Sequence, residues 1–304
     1  MSRTVTALFV ATALSFVVAP TASYACACGC GIFDISNLFT DQPGGAVYFE
    51  YDYMDQNQNW SGLSLASSAT NDDKVIRTSF YTLGGQYLFE SGIGVTVEFP
   101  FWDRHFATAS SGTLMSYNHT ALGDIRLTAS YAGFDEDRDT GVFLGVKLPS
   151  GDFKYPNFDR DTEIGSGTTD LMIGAYHRGA FDPLASWRYF VQGRYEMAVA
   201  SQGGYRSGDE FDGVMGLSYD WGTVGSVEIS PMIQVLASIR RHDSGAASSP
   251  LNSGYSRILL SPGLDLGFQN WILHTEIDVP VFQNVVGQQL VALVLFKASI
   301  AYAF

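Results

Sequence analysis

The chain has 304 residues, 46% hydrophobic and 14% aromatic, and its 31 acidic side chains outnumber 17 basic ones, giving a formal net charge of −14. This acidic balance argues against nucleic acid or an acidic macromolecule as a partner. After the first 25 residues, no stretch approaches the roughly 18 consecutive apolar residues that a membrane-spanning helix needs, which excludes a helical membrane protein. The aromatic residues, the 32 glycines and a mean hydropathy near zero favour a β-barrel that faces lipid outside and water inside.

Residues 1–25 have the organisation of a secretory signal peptide. A single charge at Arg3 precedes an apolar run over residues 7–18, and the segment ends in Ser23-Tyr24-Ala25, with small residues at the positions that signal peptidase reads. We therefore expect a leader at 1–25, a cysteine-containing periplasmic leader or plug at 26–45, and a barrel over 46–304.

All three cysteines lie directly after the predicted cleavage site, at Cys26, Cys28 and Cys30. Thiolates at this spacing could hold copper(I) or zinc, a metal site that a barrel does not need for folding. Three alternatives stay open: a lipid on Cys26, a disulfide to another subunit or periplasmic partner, or no role. Haem attachment is disfavoured because no Cys-x-x-Cys-His sequence occurs.

Alternation with period two predicts an all-β, antiparallel, up-and-down transmembrane barrel of the bacterial outer-membrane type. The predicted strands, about twelve, are residues 46–56, 74–90, 93–106, 120–134, 140–153, 166–181, 187–200, 210–222, 227–243, 255–269, 271–285 and 288–304. An even number places both chain ends in the periplasm. The expected outer connections, 57–73, 107–119, 154–165, 201–209 and 244–254, are long, and those at the opposite end are short.

The last strand has Phe296, Ile300, Tyr302 and Phe304 on one face and polar or small residues, including Lys297, on the other. An apolar outer face that ends in a terminal aromatic residue is typical of outer-membrane barrels. The sequence thus predicts outer-membrane lipid and the barrel assembly machinery as partners.

The opposite face of the predicted strands carries charges of both signs. The candidate lumen residues are Glu50, Asp52, Glu98, Arg104, Arg126, Lys147, Asp170, Arg194, Glu196, Arg240, Arg257, Asp265, His274, Glu276, Asp278 and Lys297. They could form a salt-bridged filling that stiffens the barrel or line a hydrated path for a small solute. Because about twelve strands enclose less space than the 16 to 18 of an open porin, such a path should be narrow and selective.

Two glycine-rich motifs resemble a known family. The sequence 148–151, Leu-Pro-Ser-Gly, and the sequence 165–171, Gly-Ser-Gly-Thr-Thr-Asp-Leu, are similar to the signature of the outer-membrane proteins of the MetA pathway of phenol degradation, and Glu98-Phe99-Pro100-Phe101 resembles an earlier strand of that family. The resemblance implies a barrel that transports small, often hydrophobic or aromatic, compounds. The cysteine run departs from the family pattern.

Enzyme hypotheses find little support in the sequence. No catalytic triad can be nominated, and the five histidines lack metal-ligand spacing. The acidic residues Asp159, Asp161 and Glu163 lack the glycine and terminal glutamate of a calcium loop, which favours a solvated outer loop. The leading hypothesis is a selective channel for a small molecule. A barrel that presents the cysteine segment for metal handling or redox contact ranks second, and an outer-membrane enzyme ranks last.

Overall fold

The computed structural model describes residues 26–27, 42–110, 112–181, 184 and 186–304. Its main strands are β1 Gly44–Gly62, β2 Asp73–Leu88, β3 Ile93–Ser110, β4 Thr113–Leu122 with its continuation Arg126–Tyr131, β5 Thr140–Lys147, β6 Thr168–Ala180, β7 Trp187–Ser201, β8 Glu210–Tyr219, β9 Val227–Arg240, β10 Tyr255–Phe268 and a last element, Trp271–Ala303. Short pairings at Ser64–Leu65 and Gly222–Val224 and 3₁₀ turns at Ser68–Thr70 and Pro250–Asn252 extend this set. Among the described residues, no helix is both long and apolar enough to cross a bilayer.

The strands close into a single antiparallel ring. Each of β1 to β10 pairs with the next strand, β10 pairs with the first part of Trp271–Ala303, and the second part of that element pairs with β1. Backbone hydrogen bonds of 2.8 Å in both directions between Gly45 and Phe304 complete the closure. The predicted all-β antiparallel barrel is confirmed.

The element Trp271–Ala303 makes two passes across the wall. As a single strand its 33 residues would extend about 110 Å, several times the roughly 30 Å thickness of a bilayer core. It folds back at Val286 and Gly287, where Gly287 has a φ of +70°. The two ends of the element therefore lie side by side, and the N–H of Ala303 donates to the carbonyl of Asn270 at 2.9 Å. Since a closed antiparallel ring needs an even number of passes, the eleven elements of the ring supply twelve strands.

The wall separates an apolar exterior from a buried interior. In β1, Val47 and Phe49 are exposed, whereas the residues that alternate with them, Ala46, Tyr48 and Glu50, are buried. This alternation follows from the pleat, which directs successive side chains to opposite faces. The barrel has two ends: the terminal end, where Gly45 meets Phe304, and the loop end, where the 148–167 connection lies.

Several predicted strand boundaries are wrong, and three of them differ most from the structure. Residues 107–119 are mostly strand, because the β3 and β4 ladder continues to the Ser110 and Thr113 pair beside Gly112, whose φ is +80°. Strand β5 ends at Lys147 rather than at residue 153, since Pro149 has no N–H to donate to a ladder. Strand β1 continues past residue 56 to Gly62.

Candidate functional site: the barrel interior

The connection 148–167, called here the inward loop, enters the barrel from a junction built around Asp124. One carboxylate oxygen of Asp124 accepts from the N–H of Gly151 at 3.0 Å, and the other accepts from the N–H of Ser166 at 2.8 Å and from the Ser166 hydroxyl. Strand β4 is interrupted at this point, and the N–H of Gly123 donates to the carbonyl of Pro100 at 2.7 Å. The motifs at 98–101, 148–151 and 165–171 therefore meet at one place in the fold.

Glycine is required where the two arms of the inward loop cross. A Cβ added at Gly165 would collide with the backbone of Gly151, and one added at Gly151 would fall 2.7 Å from the Cα of Gly165. The close approach lets both arms reach the Asp124 carboxylate.

The tip of the inward loop is held by the wall. Arg104 is fully buried, and its Nη1 donates to the carbonyls of Thr162 at 2.6 Å and Glu163 at 3.1 Å. Phe158 packs with Ile76, Phe106 and Leu290, which lie on β2, β3 and the last element. The prediction that residues 159–163 form a solvated loop is wrong, because Glu163 is only 7% exposed.

Burial changes the acidity of the loop carboxyls. Desolvation raises the pKa of Glu163 to about 7, and the nearby Asp152 adds to this effect against the attraction of Arg160 and Arg104. Desolvation, with Asp73, Asp159 and Asp243 nearby, raises the pKa of Asp161 well above its ordinary value. Glu163 therefore changes charge close to neutral pH.

Charged side chains, several of them paired, line a cavity of about 100 Å³ between the wall and the inward loop. Lys147 contacts both Asp170 and Glu196, the latter at 2.8 Å. Arg194 lies 3.0 Å from Asp212, and Arg240 lies 2.6 Å from Asp243. These pairs belong to β5 through β9 and to the loop after β9.

An apolar cluster fills the interior next to these charges. Its buried members are Met54, Phe80, Val214, Leu236, Leu259, Ala292 and Leu295, with Trp102 and Phe190 packed against them. They come from β1, β2 and the last element on one side and from β8, β9 and β10 on the other. Side chains from strands that are not bonded to one another thus meet inside the barrel and narrow it.

Two polar clusters lie nearer the terminal end. Lys297, which is 1% exposed, lies 3.4 Å from Glu50 and 3.7 Å from Asp52. Nδ1 of His274 lies 2.6 Å from Asp265, its Nε2 lies 3.4 Å from Glu276, and Glu276 also accepts from Gln234.

The structure places all sixteen candidate lumen residues at buried or half-buried positions. Besides the groups above, Glu98 accepts from the Tyr48 hydroxyl at 2.9 Å, and the Arg257 guanidinium lies 5.3 Å from the Tyr255 ring. Asp278 is fully buried beside β10, and Arg126 lines the cavity. Their roles in transport stay predictions.

The cysteine run is described only in part. The backbone of Cys26–Ala27 pairs in parallel with Gln289–Leu290, whereas Cys28 and Cys30 lie outside the described residues. Copper or zinc binding, and the assignment of 26–45 as a leader or plug, stay predictions.

Sequence reasoning missed the apolar cluster and the inward course of the loop. The signal for the cluster was present, since Met54, Phe80, Leu236 and Leu259 occupy the same alternate positions as the charged lumen residues. The course of the loop depends on contacts between distant segments, and no local pattern encodes it.

Comparisons with known proteins place the fold. An outer-membrane channel from Pseudomonas putida F1 has a TM-score of 0.67 with 11% identity, covering 90% of this chain and 100% of that chain. The β domain of the Bordetella autotransporter BrkA has a TM-score of 0.46 with 13% identity, and the alignment covers 86% of this chain and 100% of that chain. The KdgM porin has a TM-score of 0.43 with 11% identity, and the alignment covers 85% of this chain and 99% of that chain. No protein-family model and no curated protein match the sequence. The first similarity identifies the fold as one that outer-membrane channels use.

Proposed function

We propose that the protein is a narrow, selective channel for a small solute in a bacterial outer membrane. The closed antiparallel wall satisfies its own backbone hydrogen bonds, and its exposed apolar side chains suit a lipid environment. Membrane lipid is therefore the partner of the outer surface. The function is transport rather than catalysis.

The observation that carries the proposal is the charged cavity inside the closed wall. It lies between the tip of the inward loop and the apolar cluster, and its lining includes Lys147, Asp170 and Glu196. Charged groups buried in a barrel interior are costly unless they are paired or hydrated. A lumen narrowed by both a loop and an apolar cluster favours selection over free diffusion.

Orientation and partners follow from the same proposal. Strand β1 begins and the last strand ends at the terminal end of the barrel. That end faces the periplasm if residues 1–25 direct export. The barrel assembly machinery would then recognise the last strand with Phe304. The chain would also be a member of the phenol-degradation outer-membrane family, a proposal supported by the similarity of its motifs at 98–101, 148–151 and 165–171.

The test is solute entry into proteoliposomes that contain the mature protein. We expect small polar solutes of increasing size to enter until a sharp cut-off, below that of an open porin reconstituted in parallel. Entry of none of them, with a correctly folded barrel by heat-modifiable gel migration, would contradict a channel.

A further inference from the structure

Five cationic side chains line the charged cavity, and three of them are committed to carboxylates. Lys147 contacts Asp170 and Glu196, Arg194 contacts Asp212, and Arg240 contacts Asp243. Each of these three cations is therefore balanced by at least one carboxylate of the chain itself. The remaining two cations, Arg126 and Arg160, determine what else the cavity can bind.

No hydrogen bond to Arg126 occurs within the part of the chain that the structure describes, and its charge is balanced only by the nearby carboxylate of Glu196, which Lys147 already contacts. It lies on β4, where its register partners are Glu98 on one side and Lys147 on the other. Its Nε is buried and without an acceptor. A buried guanidinium N–H that lacks an acceptor is costly, which favours an external acceptor in the cavity.

Arg160 reaches the same cavity from the inward loop. One terminal nitrogen donates to the Ser166 carbonyl, and the guanidinium lies 4.4 Å from the Tyr205 ring and 5.2 Å from the Phe153 ring. These contacts fix its plane while Nε and Nη1 stay buried without an acceptor. Arg160 is thus held in position with two N–H donors available.

The carboxyl groups of the lining do not occupy these donors. Asp124 accepts from the inward loop, and Glu210 accepts from the Tyr255 hydroxyl at 2.6 Å. Asp161 and Glu163 also line the cavity, each with one buried oxygen that has no hydrogen-bond donor. When protonated, these two carboxyls become donors themselves.

We propose that the cavity binds a small carboxylate on the guanidinium groups of Arg126 and Arg160, an inference that rests on the proposed channel function and names the class of solute. A planar guanidinium presents paired N–H donors that match a carboxylate. The cavity, of about 100 Å³, is several times larger than the space that a single water molecule needs, so it has room for a small carboxylate.

Glu163 links this site to pH. The groups that face it are Arg160 and Asp152 on its own loop, Arg104 on β3 and the N–H of Tyr155, while Asp161 faces Asp73, Asp159 and Asp243. With its pKa raised to about 7, Glu163 is increasingly ionised above neutral pH and then competes with the solute for Arg160. Carboxylate binding should therefore weaken as the pH rises through 7.

The test measures acetate binding to the refolded full-length mature protein by isothermal titration, without reference to transport. Arg126→Gln and Arg160→Gln should each raise the dissociation constant about tenfold or more, as expected for a lost hydrogen bond to a charged group. Arg77→Gln is the matched control, since Arg77 is exposed and lies beside Asp55 outside the cavity. The raised pKa of Glu163 predicts that the wild-type protein loses affinity for acetate as the pH rises from about 6 to about 8. In the Glu163→Gln variant this loss of affinity should be smaller.

Equal acetate affinity in wild type and both arginine variants, or no binding to the wild type, overturns the proposal. If Arg126→Gln fails to fold, Arg160→Gln decides, because Arg160 lies outside the wall strands. If the wild-type protein binds acetate but lets no solute enter proteoliposomes, the channel function is contradicted and the carboxylate site is kept. Solute entry without acetate binding contradicts the site alone.

Discussion

Arg104 donates from Nη1 to the carbonyl oxygen of Thr162 at 2.6 Å, so strand β3 of the wall holds the inward loop, which follows β5 in the sequence. The same nitrogen lies 3.1 Å from the Glu163 carbonyl. The position of the inward loop, and with it the width of the lumen, depends on a side chain that is fully buried.

Arg104→Gln should loosen the tip of the inward loop and increase single-channel conductance. Hydrogen bonds from a charged donor are each worth about 1.5–3 kcal/mol, so their loss should shift the loop toward undocked conformations. The measurement is conductance in planar bilayers, with Arg77→Gln as the control. Unchanged conductance in a folded Arg104→Gln barrel would show that the loop does not limit the pore.

Barrel stability should depend on the ionisation of Glu163. Because burial raises its pKa to about 7, its protonated form is favoured in the fold, and the stability present below its ordinary pKa of 4.5 is lost as the pH rises through 7. The temperature of the heat-modifiable gel shift should fall over this interval in wild type and change less in Glu163→Gln. Glu136→Gln, in the exposed turn at the terminal end, is the control. An identical pH profile for wild type and Glu163→Gln would refute this assignment.

Neighbouring residues of β9 should respond in opposite ways to arginine. Val235 is 36% exposed on the outer surface, and Val235→Arg should cost about 2–4 kcal/mol at mid-membrane depth. Gln234 is 5% exposed and contacts Glu276, so Gln234→Arg should alter ion selectivity more than stability. Reversible unfolding in lipid vesicles and reversal potentials measure the two effects. The reverse result would mean that the register of β9 is shifted by one residue.

The apolar cluster should act as both core and constriction. Leu236 is 2% exposed, and Leu236→Ala should cost about 2–5 kcal/mol and increase conductance. Ile239, on the same strand, is 56% exposed, so Ile239→Ala should leave conductance unchanged. Equal conductance in the two variants would argue that the cluster does not line the path.

The cysteine segment should bind metal independently of folding. Mature protein purified under reducing conditions is expected to retain copper or zinc near stoichiometric amounts. A triple Cys→Ser variant at Cys26, Cys28 and Cys30 should lose the metal and still form a barrel, because the run precedes β1 and the pairing of Cys26 with Gln289 is made by the backbone, which the substitution keeps. Elemental analysis measures the metal. Absence of metal together with an acylated Cys26 in mass spectrometry would replace this prediction with lipid anchoring.

The barrel could be predicted from sequence because its signal is local. Alternation at positions such as 46–50 and the terminal Phe304 each require only neighbouring residues. The interior could not be predicted as fully. Met54 and Leu259 lie on the inner face although they are apolar. Both belong to the apolar cluster, whose members come from different strands and meet inside the barrel, so no pattern along one strand reveals it. The Arg104 contact with Thr162 depends on segments 58 residues apart.

The most direct test of the channel proposal is single-channel recording from the purified mature protein in a planar bilayer. A narrow channel should give small, discrete conductance steps that increase in Arg104→Gln and in Leu236→Ala. A folded barrel that inserts into the bilayer and yields no conductance in wild type or in either variant would contradict it.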